Sequence, residues 1–258
     1  MTREYDTTQL HEGMHGKNLH RDYTAHFFRW SFARRFVKIT DNLLEIGCGE
    51  EMPLRQILFG GAAQRVNSYT GVDLNKLKKF KHKRSRTFGE FNFVERWKEL
   101  MVSDPEFPVD EEKRYYPQNV ENGYDVVLHF EVFEHMNEAN GLNFMDACFN
   151  VTKPGGVMLT STPVWDQVRM AKNHIREYTA EEYQKIIEDA GFVVEKRFGT
   201  FMDIRHIGKS GLTGIDDEIK VVKDRLAEYF DNDAISNIFG PLYPDNSRNN
   251  LWICRKPA

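Results

Sequence analysis

Short runs of apolar residues alternate along this chain with longer stretches in which apolar residues recur every three or four positions. The short runs predict β-strands, and the longer stretches predict amphipathic α-helices. The predicted strands are 42–49, 66–73, 91–94, 124–130, 157–162, 192–198 and 251–254. The predicted helices are 21–38, 138–151, 179–190 and 216–230. Strands that alternate with helices predict an α/β fold, in which a mostly parallel sheet carries helices on both faces.

The chain of 258 residues shows no break in composition, so we expect one core with extensions. Residues 1–41 are predicted to form an N-terminal arm and a helix, and residues 42–258 the main domain. Within that domain, residues 200–248 include a stretch rich in turn residues. We predict that they form an insertion before the last strand.

The first predicted strand ends in an acid and two glycines, Glu45, Gly47 and Gly49, with Cys48 between the glycines. A glycine turn after a strand lets the backbone approach a ligand without a clash from Cβ, and the following helix presents free N–H groups beside that ligand. The second predicted strand ends at Asp73, a carboxylate that can accept hydrogen bonds from both hydroxyls of a ribose. These features predict a nucleotide-binding edge on the sheet.

This pattern resembles the first motif of class I S-adenosylmethionine-dependent methyltransferases, Glu/Asp-x-Gly-x-Gly, with the acid at the position of Glu45. A dinucleotide fingerprint would have a further glycine where Met52 stands, and many methyltransferases carry one where Glu51 stands. The resemblance covers roughly residues 42–200. It implies a Rossmann-like sheet of seven mostly parallel strands with the last strand antiparallel, S-adenosylmethionine as cofactor, and a covering helix before the first strand. The residues implied to bind the cofactor are Glu45, Gly47, Cys48, Gly49, Asp73, Leu74 and Phe130.

The fourth predicted strand is followed by Glu131, Glu134 and His135, which would share one face if the chain turned helical there. They would then lie at the carboxyl edge of the sheet, where open α/β sheets bind ligands. Two carboxylates and an imidazole on one face can hold a divalent ion such as Mg²⁺ or Mn²⁺. The alternative is a structural pair in which the carboxylate caps backbone amides and the histidine packs.

The Glu-x-x-Glu-His pattern resembles two metal-using groups of the family, the ubiquinone-biosynthesis O-methyltransferases and the small-RNA 3′-terminal 2′-O-methyltransferases. The second group carries a later histidine ahead of a threonine that begins a helix, and His174 and Thr179 match that arrangement. The resemblance implies Glu131, Glu134, His135 and His174 as metal ligands, and the first three also as catalytic residues. His174 could instead be a polar loop residue near the helix start.

Methyl transfer is an in-line displacement at a sulfonium methyl group, so the protein must mainly align the two reactants and make the nucleophile available. A sugar or catechol hydroxyl is a poor nucleophile at neutral pH, and a bound divalent ion could orient it and lower its pKa. Without an ion, His129, His135 or His174 could act as general base. We therefore expect an O-methyltransferase that acts on a small molecule or a glycan.

Nucleic acid is the alternative acceptor, because residues 76–86 are mostly lysine and arginine and such a run can bind phosphates. A solvated helix face is the competing interpretation of this run. The formal net charge of −4 disfavours a nucleic-acid enzyme. The chain after the fourth strand also lacks the Asn/Asp-Pro-Pro-Tyr/Phe motif of amino-group DNA methylation. A second alternative is a cofactor-binding subunit without catalysis.

The apolar runs fall far short of the roughly 18 residues that span a bilayer, and the polar N-terminus has no signal-peptide core. The three cysteines, Cys48, Cys148 and Cys254, are scattered within predicted elements, which favours reduced thiols. We expect a cytoplasmic protein with no membrane contact. The identity of the acceptor, the residue that contacts adenine and the oligomeric state stay open.

Overall fold

The computed structural model describes Tyr5 and residues 14–15, 18–19, 21–50, 53–59, 66–78, 84–101, 120, 122–168, 170–204 and 217–258. Its centre is a sheet of seven strands. The strands are β1 (Asn42–Ile46), β2 (Ser68–Val72), β3 (Ser85–Phe88), β4 (Tyr124–Phe130), β5 (Thr152–Pro163), β6 (Val193–Gly199) and β7 (Asn249–Arg255). A short ladder of Met14–His15 against Asn18–Leu19 lies outside this sheet.

The strands lie in the order β3-β2-β1-β4-β5-β7-β6. The first five strands pair in parallel, whereas β7 pairs antiparallel with both β5 and β6. The predicted α/β class, with a mostly parallel sheet and an antiparallel last strand, is confirmed. Because the strand order reverses between β1 and β4, the carboxyl ends of these two strands border the crevice where such sheets bind ligands.

Helices cover both faces of the sheet. The helices are α1 (Arg21–Ala33), α2 (Pro53–Phe59), α3 (Phe93–Arg96), α4 (Glu138–Val151), α5 (Ala180–Asp189), α6 (Asp217–Leu226) and α7 (Asn232–Phe239). Short 3-10 turns are formed by Trp97–Met101, Phe133–His135, Gly240–Leu242 and Pro244–Asn246. The turn Phe133–His135 follows β4 directly and therefore lies at the crevice.

The two faces of the sheet carry separate apolar clusters, because successive side chains of a strand point to opposite faces. One face, here called the α4 face, is covered by α4 and α5 and has Phe144 and Trp252 in its core. The other face, here called the α1 face, is covered by α1 and α2 and has Trp30 and Leu128 in its core. A smaller cluster within residues 200–248 contains Met202, Ile204, Ile235 and Phe239.

The prediction of a strand at 91–94 is wrong. The third strand is β3, which ends before that segment, and Phe93 begins α3. Phe91 and Phe93 are both buried, so the alternation of apolar and polar residues comes from a loop and a helix that pack on the core. The strand β3 was not predicted because its sequence is mostly polar. Its Arg86 is nevertheless accommodated in the sheet, since it makes its hydrogen bonds inside the protein, with Tyr124 among its partners.

The predicted helix at 216–230 is shorter in the structure, where it is α6, and a second helix follows it. α6 ends at Leu226, and α7 starts after Asp231, whose carboxylate accepts a hydrogen bond from the N–H of Ala234 at 2.8 Å. An acidic side chain that accepts from the first turn stabilises a helix start. Asp231 therefore begins a new helix just beyond the predicted segment, where no helix was predicted.

Candidate functional site

The loop after β1 is shaped by its two glycines. The N–H groups of Gly47 and Cys48 both donate to the carbonyl of Val72, at 2.8 and 3.2 Å, which folds the loop against the end of β2. Gly47 and Gly49 have φ values of 71° and 69°, in the left-handed region that favours glycine. The loop therefore lies at the crevice in a conformation that other residues would adopt only with strain.

The two glycines differ in what surrounds them. A Cβ atom at Gly47 would lie 2.4 Å from Cγ2 of Val132, so this glycine makes room for the segment after β4. A Cβ atom at Gly49 would meet no heavy atom of the described residues within 4 Å. Gly49 is thus the part of the loop that a ligand can approach, whereas Gly47 packs against the protein itself.

Asp73 follows β2 and faces the glycine loop. Its Oδ2 accepts a hydrogen bond from the N–H of Gly49 at 2.9 Å, and its Oδ1 accepts one from the N–H of Asn75 at 2.8 Å. Leu74 beside it is 39% exposed, whereas Phe130 at the end of β4 is mostly buried on the α1 face. The structure therefore places Asp73 and Leu74 beside the open end of the loop and Phe130 largely in the core.

Glu45 and Cys48, both predicted to bind the cofactor, lie beneath the loop in the protein interior. The hydroxyl of Tyr69 donates to Oε2 of Glu45 at 2.5 Å. Burial raises the pKa of Glu45 to about 8, and the charge of Asp73 adds to the rise. Burial also raises the pKa of the Cys48 thiol. Tyr69, which the sequence analysis did not single out, therefore supports the loop together with Glu45.

The raised pKa of Glu45 should make the stability of the protein depend on pH. Its pKa rises from 4.5 to about 8 on folding, so the folded state binds this proton more tightly than the unfolded state does. The free energy of unfolding should then fall as the pH rises through this window. Glu45→Gln, which keeps an acceptor oxygen for Tyr69, should remove that part of the fall. Urea unfolding at several pH values would measure it, and identical pH dependence of the two proteins would contradict it.

The chain does not continue as a helix after β4, and this corrects the arrangement expected from the sequence. Glu131 has a φ of 55°, in the left-handed region, and Phe133–His135 forms a single 3-10 turn. A face shared by positions 131, 134 and 135 requires right-handed helical backbone throughout. The helical spacing that would bring Glu131 onto one face with Glu134 and His135 therefore does not apply.

Glu131 belongs to a polar cluster on the α1 face. Its Oε1 accepts a hydrogen bond from Oγ of Ser161 at 2.7 Å, and its Oε2 accepts one from Nδ2 of Asn249 at 2.5 Å. Nη1 of the buried Arg29 lies 3.6 Å from Oε1 and donates to Oγ1 of Thr200 at 3.4 Å. Both carboxylate oxygens of Glu131 thus have hydrogen-bond partners outside the set of predicted ligands, and α1 is tied to the end of β4.

Glu134, His135 and His174 come together beyond the end of β4. One ligand atom from each lies within 4.8 Å of the others, and the two rings are 5.1 Å apart. Glu134 is fully buried, and its Oε2 accepts a hydrogen bond from Oγ1 of Thr162 at 3.3 Å. Its Oε1 has no hydrogen-bond partner among the described residues. Burial raises the pKa of Glu134, and the charge of Glu131 raises it further. Three of the four predicted ligands therefore form one group.

Both imidazoles of this group are held by a second residue. Nδ1 of His135 lies 2.9 Å from the carbonyl oxygen of Asn173, and Nδ1 of His174 lies 2.5 Å from Oε1 of Glu177. A carbonyl oxygen can only accept, so Nδ1 of His135 carries the proton and Nε2 carries the lone pair. Glu177 lies three positions after His174. The spacing of that acid was a signal in the sequence that the sequence analysis missed.

The loop that carries His174 is fixed at both ends. The N–H groups of Ile175 and Arg176 donate to the carbonyl of Glu134 at 2.8 and 3.2 Å. Thr179 then starts α5 with a capping box, in which its side chain and that of Glu182 exchange hydrogen bonds with the backbone. The predicted helix start at Thr179 is confirmed, and these contacts hold His174 beside Glu134.

His129, proposed from the sequence as a general base, is not placed to act as one. Its side chain is fully buried on the α4 face, with Nδ1 3.3 Å from Oγ1 of Thr160 and its ring against Phe144. Burial lowers its pKa to about 3, so the imidazole stays neutral. A group enclosed in this way cannot reach an acceptor, so this prediction is wrong.

The basic run is only partly within the described residues, because 79–83 lie outside them. Lys78 lies 3.9 Å from Glu50 near the glycine loop. Arg84 is buried, and Arg86 makes its hydrogen bonds inside the protein as part of β3. The C-terminal end of the run therefore serves the fold and does not present its charge to a polyanion.

Sequence comparison shows which proteins this chain is similar to. Residues 20–197 match a family model described as a methyltransferase domain. A probable S-adenosylmethionine-dependent methyltransferase from Mycolicibacterium smegmatis is 37% identical over 97 residues, which cover 33% of this chain and 37% of that protein. A probable S-adenosylmethionine-dependent methyltransferase from Mycobacterium tuberculosis is 32% identical over 97 residues, which cover 33% and 35%. The match thus spans only about a third of each relative.

Structural comparison supports the fold alone. A crystal structure of an S-adenosylmethionine-dependent methyltransferase from Archaeoglobus fulgidus has a TM-score of 0.55 at 17% identity and covers 92% of this chain and 94% of that one. The cyclase SpnF has a TM-score of 0.53 at 16% identity and covers 99% and 86%. The same fold thus occurs in a protein named for a different reaction.

In the part of the chain that the structure describes, no helix is long and apolar enough to cross a bilayer. The family model covers more than half of the chain, and both the glycine loop and the strand order agree with it. The chain therefore belongs to the class I S-adenosylmethionine-dependent methyltransferase family.

Proposed function

We propose that this protein transfers a methyl group from S-adenosylmethionine to a hydroxyl of a small molecule or a glycan, with assistance from a divalent cation. The observation that carries the proposal is the group of Glu134, His135 and His174. Glu134 and His135 of this group lie on the segment after β4, which packs against the glycine loop through Val132 and Gly47. A cation held there would adjoin the cofactor edge of the sheet.

The residues at the crevice fit S-adenosylmethionine. No described residue would contact a Cβ atom at Gly49, and each oxygen of the Asp73 carboxylate keeps acceptor capacity beyond the one N–H it binds. Leu74 adds an exposed apolar surface beside that carboxylate. We infer that the helix α1 covers this cofactor, since Arg29 joins α1 to the end of β4 through Glu131. Residues 1–41 would then complete the site built by residues 42–258.

The donor set of the three-residue group fits a divalent cation. Two imidazoles and a carboxylate suit Mn²⁺ and other transition ions better than Mg²⁺, which prefers oxygen ligands. Oε1 of Glu134 is a buried acceptor without a partner, and a cation would satisfy it. Glu177 holds Nδ1 of His174 as carboxylates commonly hold ligand histidines. When bound, the ion would orient the acceptor hydroxyl and lower its pKa.

The remaining contribution of the chain is alignment. Gly49 and Asp73 would bind and orient the cofactor, while Glu134 and its neighbours define the acceptor side. The contact between Val132 and Gly47 and the clamp of Ile175 on the Glu134 carbonyl fix these two sides relative to each other. Holding the reactants in a fixed geometry supplies a large part of the rate of such a displacement.

The two glycines should respond differently to substitution. Gly49→Ala should weaken S-adenosylhomocysteine binding, because its methyl group would fill the open side of the loop. Gly47→Ala should mainly destabilise the fold, because Cβ would lie 2.4 Å from Val132. The double variant Gly47→Ala with Val132→Ala should recover part of the lost stability. Both changes also carry left-handed strain of about 1 kcal/mol. Calorimetry and thermal unfolding would separate the two effects, and equal binding by Gly49→Ala and wild type would contradict the assignment.

Methyl incorporation tests the proposed function directly. The protein would be incubated with S-adenosylmethionine labelled in its methyl group and with separate small-molecule, glycan and RNA fractions, with EDTA and after return of Mn²⁺ or Mg²⁺. We expect label in a small-molecule or glycan fraction, loss with EDTA and recovery with Mn²⁺. Label in RNA alone would favour the nucleic-acid alternative. Cofactor binding without label in any fraction would favour a non-catalytic subunit.

A further inference from the structure

Two consecutive asparagines at the start of β7 point to opposite faces of the sheet. Asn249 donates to Glu131 on the α1 face. Asn250 is fully buried and shares its face with Trp252, in the core of the α4 face. Asn249 therefore lies beside Glu131, whereas Asn250 lies on the face of the sheet that also carries Thr162, a partner of Glu134.

The register of the sheet places Asn250 next to Thr162, a hydrogen-bond partner of Glu134. It is the cross-strand partner of Thr162 in the antiparallel pair of β5 and β7. Cross-strand partners have Cβ atoms about 4.5–5.5 Å apart and project from the same face. Oγ1 of Thr162 is the hydroxyl that donates to Oε2 of Glu134 at 3.3 Å. Asn250 and Glu134 thus flank the same threonine on one face.

The amide of Asn250 is oriented with its oxygen unused. Its Nδ2 donates to the carbonyl oxygen of Pro244 at 3.0 Å, which fixes the nitrogen end toward the insertion. Its Oδ1 is buried and has no hydrogen-bond partner among the described residues. Oε1 of Glu134 is likewise buried and has no hydrogen-bond partner among the described residues. Buried polar oxygens are almost always paired, so each of these two acceptors around Thr162 calls for a partner.

We propose that Oδ1 of Asn250 is a further ligand of the divalent cation held by Glu134, His135 and His174, in the role that helical spacing assigned to Glu131. An amide oxygen is a hard, neutral ligand that suits Mn²⁺ and Mg²⁺. It would add an oxygen donor without a second buried negative charge beside Glu134. The inference rests on the proposed cation site, and it adds a residue from β7 that the helical spacing in the sequence does not suggest.

The test is the dissociation constant of Mn²⁺, measured by the electron paramagnetic resonance signal of the free ion with S-adenosylhomocysteine present. Asn250→Leu keeps the size of the side chain and removes the oxygen, and it should weaken Mn²⁺ by about 10-fold or more. Asn250→Ala, which leaves room for a water molecule, should weaken Mn²⁺ less. Asn249→Leu is the matched control, and it should leave the Mn²⁺ constant within about twofold.

Retained affinity for S-adenosylhomocysteine would show that the Asn250 variants are folded. An unchanged Mn²⁺ constant in Asn250→Leu, or in Asn250→Ala if the leucine variant does not fold, would overturn the inference. If Glu134→Gln at the same time abolishes Mn²⁺ binding, the proposed cation site stands without Asn250. Failure of the wild-type protein to bind Mn²⁺ would overturn both.

Discussion

Asp73→Ala should weaken the binding of S-adenosylmethionine and S-adenosylhomocysteine, with a loss of about 2–4 kcal/mol in binding free energy. The carboxylate would accept charge-assisted hydrogen bonds from the ribose hydroxyls. It also fixes the loop, since its two oxygens bind the N–H groups of Gly49 and Asn75. Removing it therefore removes a ligand contact and loosens the backbone that the ligand approaches. Titration calorimetry with S-adenosylhomocysteine would measure the loss.

Asp73→Asn is the matched variant for this measurement. It keeps one acceptor oxygen and the size of the side chain, so it should bind S-adenosylhomocysteine better than Asp73→Ala and worse than wild type. Thermal unfolding without ligand would show whether each variant is folded. Wild-type affinity in a folded Asp73→Ala would mean that the cofactor binds elsewhere on the sheet.

Glu134→Gln should weaken Mn²⁺ binding by about 100-fold or more and abolish the recovery of methyl transfer after chelation. Glu134 is the one carboxylate of the group, and a neutral amide in its place removes the charge that offsets the cation. The substitution conserves size and keeps an acceptor for Thr162, so the turn after β4 should stay in place. Affinity for S-adenosylhomocysteine should remain close to that of wild type, which separates this effect from that of Asp73→Ala.

Glu138→Gln is the control for this experiment. Glu138 lies in the first turn of α4, close in sequence to the group, and its exposed carboxylate pairs with Arg176. Removing its charge should leave Mn²⁺ affinity nearly unchanged. If methyl transfer survived exhaustive chelation, the group would act without an ion, and His135→Ala would then be expected to change the pH profile of the reaction and not its response to metal.

The parts of the fold that the sequence predicted are those encoded by local patterns. The apolar run before Gly47, the acid at the end of β2 and the capping box at Thr179 each concern a few neighbouring residues. The strand β3 was missed because Arg86 is polar in sequence but satisfied inside the fold by Tyr124. That partner is distant in the chain, so no local pattern contains it.

The residues of the candidate site divide in the same way, into those that a local sequence pattern predicts and those whose place depends on distant parts of the chain. Glu134 and His135 are adjacent in the chain, and His174 was found through the threonine that follows it. The helical spacing that grouped Glu131 with Glu134 and His135 does not hold, because Glu131 has a φ of 55°. A left-handed conformation at a glutamate has no local sequence signal. Here it goes with the hydrogen bonds that Glu131 makes to Ser161 and Asn249, which only the assembled sheet provides.

The functional residues that the sequence analysis did not single out come mainly from long-range contacts. Thr162 reaches Glu134 from β5, and Asn250 reaches the same region from β7 through strand pairing. Tyr69 supports Glu45 from the neighbouring strand. In each case the partner residue is ordinary in its own segment, and its role follows only from the order of strands in the sheet.

The most direct measurement is anomalous diffraction from crystals grown with S-adenosylhomocysteine and Mn²⁺. We predict S-adenosylhomocysteine at the glycine loop with its ribose on Asp73, and an anomalous peak bound by Glu134, His135 and His174. The ion and the cofactor should then lie on the two sides of Val132. Cofactor bound in the crevice with no anomalous peak at this group, or with the peak at the cluster around Glu131, would contradict a cation-assisted methyl transfer at this site.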